Sequence, residues 1–374
     1  MVRLFHFSDT HLGHQQYNRT DPSGLNQREV DIAAAFDAVV DAAIREKPDL
    51  VLHAGDLFDG VRPGNRALAA ALEGFLRIGH AGIPTVLIAG NHEHPRLRET
   101  GSPFRLLEHL PGMNVAYKGR RETFTFRFGA QTVRVHAVPQ CQDNAALARE
   151  VAEAPVGPEG GDDVDVLVAH GAVPSLPAFA HAEFNEQLLD SGWFGSFDYV
   201  ALGHYHGTQQ VAPNAWYCGA PERVSIAEAG QPKGFLDVRL GPEPQVQFRP
   251  LAGRDYADLP PLDAASLDAP AVKQRAIAAL GACPEGAVVR LRLANLDPAL
   301  RSGLDVRAIR QAGARFVHLD LRLEWSEAAD LGAGPTALGG LAEEWDAFVA
   351  AQPLNGLREV LTKLAREVLT EAPR

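Results

Sequence analysis

The chain has 374 residues, of which 46% are hydrophobic and 22% are charged. This is an ordinary globular composition with room for two or three domains. The formal net charge of −12 argues against strong sequence-independent binding to nucleic acid, because phosphate contacts need a basic face. No apolar run approaches the length of a membrane span, and the first residues lack the pattern of a signal peptide. The cysteines are odd in number and far apart, which predicts buried thiols in a reducing cytoplasm: Cys141, Cys218 and Cys283.

Strands and helices alternate over residues 2–89. Residues 2–8 form a strand-like apolar run, and Asn26 is placed to cap a long amphipathic helix. A strand over 49–54, a helix over about 65–79 and a strand over 83–89 follow. This alternation predicts a parallel sheet covered by helices.

The pattern changes after residue 120. Phe124, Phe126 and Phe128 fall on one face of a strictly alternating segment, and residues 133–138 alternate as well, which predicts a β-hairpin at a sheet edge. A helix (143–153), two strands (164–169 and 198–202) and short strands over 208–250 follow. The predicted fold class is therefore α/β, with a two-sheet sandwich flanked by helices.

The sequence of the last third of the chain predicts structural units separate from the two-sheet sandwich. The segment from Asp255 to Pro270 has the composition of a linker. Residues 270–325 predict a small α+β domain with helices 270–280 and 305–312 and strands 287–293 and 315–323. Two amphipathic helices after a glycine break would either pack on their own domain or form a partner-binding arm. The predicted domains are residues 1–254, 255–330 and 331–374.

Five polar fragments each follow a strand-like apolar run. Open α/β sheets bind ligands at the carboxyl ends of their strands, so we expect the five fragments to meet at one edge of the fold. They are Asp9-Thr10-His11, Gly55-Asp56, Gly90-Asn91-His92-Glu93, His170-Gly171 and Gly203-His204-Tyr205-His206.

These fragments supply the ligands of a two-metal site. Asp9 and His11, like His204 and His206, are two residues apart, a spacing that points both side chains the same way in an extended segment. The Asp56 carboxylate has two oxygens and can bridge two ions. Mixed imidazole and carboxylate ligation suits Mn, Fe or Zn better than Mg or Ca, and paired ions serve phosphoester hydrolysis. The predicted ligands are Asp9, His11, Asp56, Asn91, His170, His204 and His206.

His92 follows a ligand but is expected to point elsewhere, so we assign it as a general acid that either protonates the leaving oxygen or stabilises the charge developing there. Asp59 is predicted to hydrogen-bond His92 and orient it. Each fragment alone has a plain structural explanation, such as a helix cap for Asp56, and only their joint occurrence indicates a site. The other histidines are predicted to be core or surface residues: His6, His14, His53, His80, His94, His109, His136, His181 and His318.

The five fragments resemble the motifs of calcineurin-like metallophosphoesterases over about the first 210 residues. Within that superfamily the chain is similar to the SbcD-type nuclease subunits of DNA double-strand-break repair complexes. That similarity rests on the start Phe7-Ser8-Asp9-Thr10-His11-Leu12-Gly13, followed by Gln16-Tyr17-Asn18 and Gln27-Arg28-Glu29. It rests also on Gly55-Asp56-Leu57-Phe58-Asp59 with Arg62-Pro63, and on the domain order.

The resemblance implies two Mn²⁺ ions per chain, with Mg²⁺, Fe or Zn as alternatives. It implies 3′→5′ exonuclease activity on double-stranded DNA and endonuclease activity on single strands or hairpins. It further implies a homodimer formed through helices 65–79 and 103–110, a DNA-capping domain over 255–330, and terminal helices that bind an SbcC-type coiled-coil ATPase. Loop residues near the motifs are expected either to contact DNA or to be solvated: Tyr17, Arg19, Arg62 and Arg96.

Two other functions stay open at this point. One is a phosphodiesterase or phosphatase acting on a small nucleotide or another phosphoester, which would have the same site but no evident need for the last third of the chain. The other is a non-catalytic scaffold that holds DNA ends, against which the complete ligand set and His92 argue.

Overall fold

The computed structural model describes residues 1–94, 101–154, 157, 163–176, 186–241, 243–326, 345 and 349. The strands are β1 (Arg3–Phe7), β2 (Leu50–His53), β3 (Thr85–Ile88), β4 (Met113–Ala116), β5 (Glu122–Phe128), β6 (Gln131–Val138), β7 (Val164–His170), β8 (Tyr199–Gly203), β9 (Gln209–Ala212), β10 (Ala215–Tyr217), β11 (Gly234–Arg239), β12 (Gln245–Pro250), β13 (Tyr256–Asp258), β14 (Leu262–Asp263), β15 (Val288–Leu296) and β16 (His318–Trp325). The α-helices are α1 (Gln27–Glu46), α2 (Asn65–His80), α3 (Phe104–Leu107), α4 (Asn144–Ala152), α5 (Ala269–Gly281) and α6 (Val306–Ala312). Short 3-10 helices span Ser191–Ser196, Ile226–Glu228, Pro298–Ser302 and Gly313–Arg315.

The first sheet has the order β12-β11-β1-β2-β3-β4, with β1 to β4 parallel and β11 and β12 antiparallel to their neighbours. Asn26 caps α1 as predicted, since its side chain accepts from the backbone N–H groups of Arg28 and Glu29. Phe36 of α1 and Phe75 of α2 pack together over the outer face of this sheet. This arrangement brings the carboxyl ends of β1, β2 and β3 to one edge.

The second sheet has the order β5-β6-β7-β8-β10-β9, and its central strands β6, β7 and β8 are parallel. One apolar core joins the two sheets, with Leu52 and Val86 from the first and Val135 and Val166 from the second. The predicted two-sheet sandwich flanked by helices is therefore confirmed. The predicted hairpin is the edge pair β5–β6.

The third sheet contains β13, β14, β15 and β16, with α5 and α6 in its core cluster. The segment 255–270 is not the linker that its composition predicted, because β13 and β14 pair with β15 in this sheet. The helix expected over 103–110 is limited to Phe104–Leu107. The two helices predicted after residue 331 lie outside the described residues, apart from residues 345 and 349.

A network of charged side chains, here called the charged joint, connects the third sheet to helix α1. Arg28 of α1 is fully buried, donates to the Arg223 carbonyl at 2.5 Å, and pairs with Asp31. Asp31 also pairs with Arg254, whose guanidinium donates to the carbonyl of Gly286 at 2.6 Å. Close to this joint, the Tyr17 ring stacks on His318 of β16, with ring centroids 4.1 Å apart.

The three cysteines are buried and unpaired. In the described part of the chain, none of the helices combines the length and apolarity that crossing a bilayer requires.

Candidate metal centre

The ends of β1, β2, β3, β7 and β8 carry the five sequence fragments to one place. Two backbone hydrogen bonds align the first two fragments, from the Asp9 N–H to the Gly55 carbonyl at 2.9 Å and from the His11 N–H to the Asp56 carbonyl at 3.0 Å. Asp9, His11, Asp56 and His204 all have positive φ angles, of 51°, 51°, 53° and 103°. Asp9 and His11 converge through this left-handed backbone and not through the extended pleat on which their spacing argument rested.

Among the described residues, one cluster of potential ligand atoms contains Asp9, His11 and His206. The Nε2 atoms of His11 and His206 lie 3.1 Å apart, and the Nδ1 atom of His206 lies 3.0 Å from Oε1 of Glu228. Because a carboxylate can only accept, the His206 Nδ1–H donates to Glu228, and the other ring nitrogen, Nε2, faces His11. Hydrogen bonds from His206 and the charge of nearby Lys233 overcome burial and lower the pKa of Glu228 to about 2.

A second cluster contains Asp9, Asp56 and His170. The Nδ1 of His170 donates to the Ala54 carbonyl at 2.8 Å, while its Nε2 lies 2.9 Å from Oδ1 of Asn91 and 3.3 Å from Oδ2 of Asp56. Burial lowers the pKa of His170, but the Asp56 carboxylate outweighs it and raises that pKa to about 9. A proton on Nε2 of His170 would thus lie beside the Asn91 and Asp56 oxygens that meet there.

Asp56 belongs to the second cluster and to a third, which it forms with His11 and His92. Its Oδ2 is 4.0 Å from Nε2 of His11 and 3.9 Å from Nε2 of His92, besides the shorter approach to His170. Burial opposes the charge of Asp56, but the neighbouring imidazoles of His170, His11 and His92 hold its pKa well below the usual range. Gly90 makes room for this carboxylate, because a Cβ at residue 90 would lie 2.2 Å from Oδ1 of Asp56.

The donor set fits divalent metal ions. The Nε2 atoms of His11 and His206 lie 3.1 Å apart, and an amide oxygen, a carboxylate and an imidazole nitrogen meet around His170. Such groups repel one another unless a proton or a cation lies between them. Nitrogen and oxygen donors of this kind are those that Mn, Fe and Zn accept.

His204 reaches the site in a different way from the other predicted ligands. Its backbone N–H donates to both carboxylate oxygens of Asp9, at 3.0 and 3.1 Å, and its ring centroid lies 5.3 Å from that of His170. Its Nε2, however, lies 3.2 Å from Oε1 of Glu186. His204 is outside the three ligand-atom clusters found among the described residues, so its role as a ligand remains a prediction.

His92 lies at the open side of the buried ligands, with 40% of its side chain exposed. Its Nδ1 is 3.0 Å from the backbone carbonyl oxygen of Asp59. The hydrogen bond predicted between these two residues therefore exists, but it uses the main chain of Asp59. The Asp59 carboxylate instead lies 3.0 Å from Nδ1 of His14 and 3.3 Å from Nδ1 of His11. These contacts outweigh burial and lower the pKa of Asp59.

The residues predicted to contact DNA have varied surroundings. Tyr17 is half-buried and stacks on His318, so it belongs to the junction with the third sheet. Arg19 and Arg62 are exposed. Arg96 lies outside the described residues.

Three carboxylates around the site were given no role by the sequence analysis. Glu93 is completely buried and accepts from the N–H groups of Phe58 at 2.6 Å and Gly90 at 2.9 Å, which ties the second and third fragments together. Burial and the charge of Asp56 raise its pKa well above the ordinary value. Its place in Gly90-Asn91-His92-Glu93 was the available hint. Glu186 and Glu228 lie outside all five fragments.

Residues 2–208 match the calcineurin-like phosphoesterase family. Among curated proteins, the DNA double-strand break repair protein Mre11 of Methanococcus maripaludis is 30% identical over 61% of this chain and 59% of its own length. The Mre11 protein of Haloferax volcanii is 32% identical over 69% of this chain and 54% of its own length. The chain thus spans little more than half the length of these relatives. A dimetal phosphatase from Danio rerio aligns with a TM-score of 0.37 at 13% identity, over 67% of this chain and 96% of that structure. Since the family match covers more than half of the sequence, this chain belongs to the calcineurin-like phosphoesterase family.

Proposed function

We propose that the chain is a metal-dependent DNA nuclease of double-strand-break repair that hydrolyses phosphodiesters with two ions. The observation that carries the proposal is the convergence of the predicted ligands and His92 at one edge of the sandwich, in a chain about 30% identical to proteins named for double-strand break repair. The specific activities proposed are 3′→5′ exonuclease on duplex DNA and endonuclease on single strands and hairpins.

We assign the ligands of the two ions from the clusters and the shared position of Asp56. Asp9, His11, Asp56 and His206 would hold the first ion, and Asp56, Asn91, His170 and His204 the second. Mn²⁺ is the proposed metal, with Mg²⁺, Fe or Zn as alternatives. When bound, the pair supplies an activated water and neutralises charge on the phosphorus centre.

The protein's own groups position the reaction and move a proton. In its imidazolium form His92 would keep its Nδ1–H on the Asp59 carbonyl and give the Nε2 proton, near the Asp56 carboxylate, to the leaving oxygen. Glu93 keeps the loops of Asp56 and His92 in register through its two backbone contacts. The exposure of His92, 40% of whose side chain is open to solvent, supports a polymer as the substrate.

The remaining parts of the proposal concern assembly. We place the nuclease domain at residues 1–254, a DNA-capping domain at 255–330 and an ATPase-binding arm at 331–374. The partners would be DNA, a second copy of the chain and an SbcC-type coiled-coil ATPase, in the cytoplasm. The continuous third sheet after residue 255 supports the middle unit.

The test compares wild type with Asp56→Ala. Each protein is incubated with Mn²⁺ or Mg²⁺ and either end-labelled duplex DNA or bis-p-nitrophenyl phosphate. Mn²⁺-dependent shortening of the duplex by the wild type alone supports the nuclease. Hydrolysis of the small diester with intact DNA, unchanged when the candidate ATPase and ATP are added, favours a small-substrate phosphodiesterase. Inactivity towards both substrates under all of these conditions contradicts an enzymatic function.

A further inference from the structure

The ligand His206 has a buried ion pair behind it. Its Nδ1 lies 3.0 Å from Oε1 of Glu228. The other oxygen of Glu228 lies 2.5 Å from Nζ of Lys233, and the same ammonium donates to the backbone carbonyl of His206 at 2.7 Å. Only 8% of the Glu228 side chain and 1% of the Lys233 side chain are exposed. The pair therefore holds both the ring and the main chain of His206.

The elements that carry these two side chains are built locally. Glu228 ends the 3-10 helix Ile226–Glu228, whose first turn is capped by the Ser225 hydroxyl. Lys233 directly precedes β11, whose antiparallel partner is β1. A third acceptor, Oε1 of Gln231, lies 3.4 Å from the Lys233 ammonium. The loop with the ligand His206 is thus fixed to a central strand pair of the first sheet.

Stability alone gives a weak reason for burying this pair. Two desolvated charges recover little net free energy, and an apolar pair of equal volume often serves a fold as well. A buried lysine and glutamate that both contact the same ligand residue are better explained by the geometry that they impose.

His206 and His170 differ in the group that their Nδ1 atoms contact. His170 donates its Nδ1–H to the neutral Ala54 carbonyl at 2.8 Å, whereas His206 donates to a carboxylate. A carboxylate partner fixes the tautomer and makes the other ring nitrogen a stronger donor to a metal. Stronger donation by His206 would favour metal binding at the site formed by Asp9, His11 and His206.

We infer that Glu228 and Lys233 are positioning residues that aim Nε2 of His206 and strengthen the binding of the first ion, leaving the second ion unaffected. The inference rests on the proposed two-ion site. It does not depend on DNA as the substrate.

The experiment measures Mn²⁺ binding to metal-free protein by calorimetry, without substrate. Wild type is compared with Glu228→Gln, Lys233→Met and the matched control Glu243→Gln, which makes the same chemical change at an exposed position. His206→Gln identifies which binding event belongs to the first ion. Thermal melting in EDTA checks that each variant is folded.

The expected result is a loss of about 10- to 100-fold in affinity for the first ion in both Glu228→Gln and Lys233→Met. In these two variants the affinity for the second ion should equal that of wild type. Glu243→Gln should bind both ions with wild-type affinity. Folded Glu228→Gln protein with two wild-type affinities would overturn the inference, as would equal weakening of both ions. A wild type that binds two ions but leaves DNA intact, alone and with the ATPase, would refute the nuclease and not this inference.

Discussion

Gly90→Ala tests whether the close approach of the second and third fragments sets the position of Asp56. The added Cβ would lie 2.2 Å from Oδ1 and 2.6 Å from the backbone nitrogen of Asp56. Such contacts force roughly 1 Å of movement, and a misplacement of that size costs on the order of 100-fold in rate, or about 2.7 kcal/mol in activation free energy. Overpacking should also lower the free energy of unfolding by about 1–3 kcal/mol.

The rate is measured with Mn²⁺ and bis-p-nitrophenyl phosphate, and the unfolding free energy with urea. Gly195→Ala is the matched control, because nothing lies within 4 Å of a Cβ built there. Neither glycine has a positive φ angle, so the two variants differ in contacts and not in backbone strain. If Gly90→Ala hydrolyses the diester as fast as Gly195→Ala, the absence of a side chain at residue 90 does not determine the position of the Asp56 carboxylate.

Three further predictions concern the acid, a buried histidine and the charged joint. His92→Asn should keep its metal content by elemental analysis and lose about 10²- to 10⁴-fold in turnover, and retained turnover would remove His92 as the acid. Burial lowers the pKa of His6 from 6.5 to about 3. The unfolded chain therefore binds the extra proton between these values, and stability falls with acidification by about 1.4 kcal/mol per pH unit. His6→Gln should reduce that slope by one proton in urea titrations between pH 6 and 4, and an unchanged slope would contradict the assignment. Arg28→Met removes the guanidinium that lies 3.5 Å from the buried Glu222 carboxylate, and leaves Asp31 paired with Arg254 alone, which should lower the free energy of unfolding by about 3–5 kcal/mol. A loss no larger than that of an exposed Arg19→Met control would show that the joint contributes little.

The predicted ligands were accessible to sequence reasoning because parallel strands end at a common edge. Asp9, Asp56 and His170 each follow an apolar run, and the parallel pairing within each sheet brings them together without any knowledge of loop structure. The local geometry was less accessible. The spacing of Asp9 and His11 suggested an extended segment, but both residues have left-handed φ angles.

The contacts that support the site could not be predicted from the sequence, because no periodicity or spacing rule relates the residues that make them. Glu228 meets His206 across 22 residues, and the carboxylate of Asp59 turns to His14, leaving only its carbonyl for His92. The composition of segment 255–270 predicts a linker because β13 and β14, with three and two residues, are too short to show alternation. Pairing with β15, which is distant in sequence, is what makes them strands.

The left-handed backbone at Asp9, His11, Asp56 and His204 sets function against thermodynamic stability. Side chains other than glycine resist this conformation, at roughly 1 kcal/mol each or more, so the surrounding fold must hold these residues in a conformation that they would not adopt alone. Glycine would relax every one of them and would remove a predicted ligand each time. Asp56→Gly should therefore melt at a higher temperature than Asp56→Ala, although both lack the carboxylate. Selection for heat resistance alone would drive these positions towards glycine, and selection for metal chemistry keeps them strained.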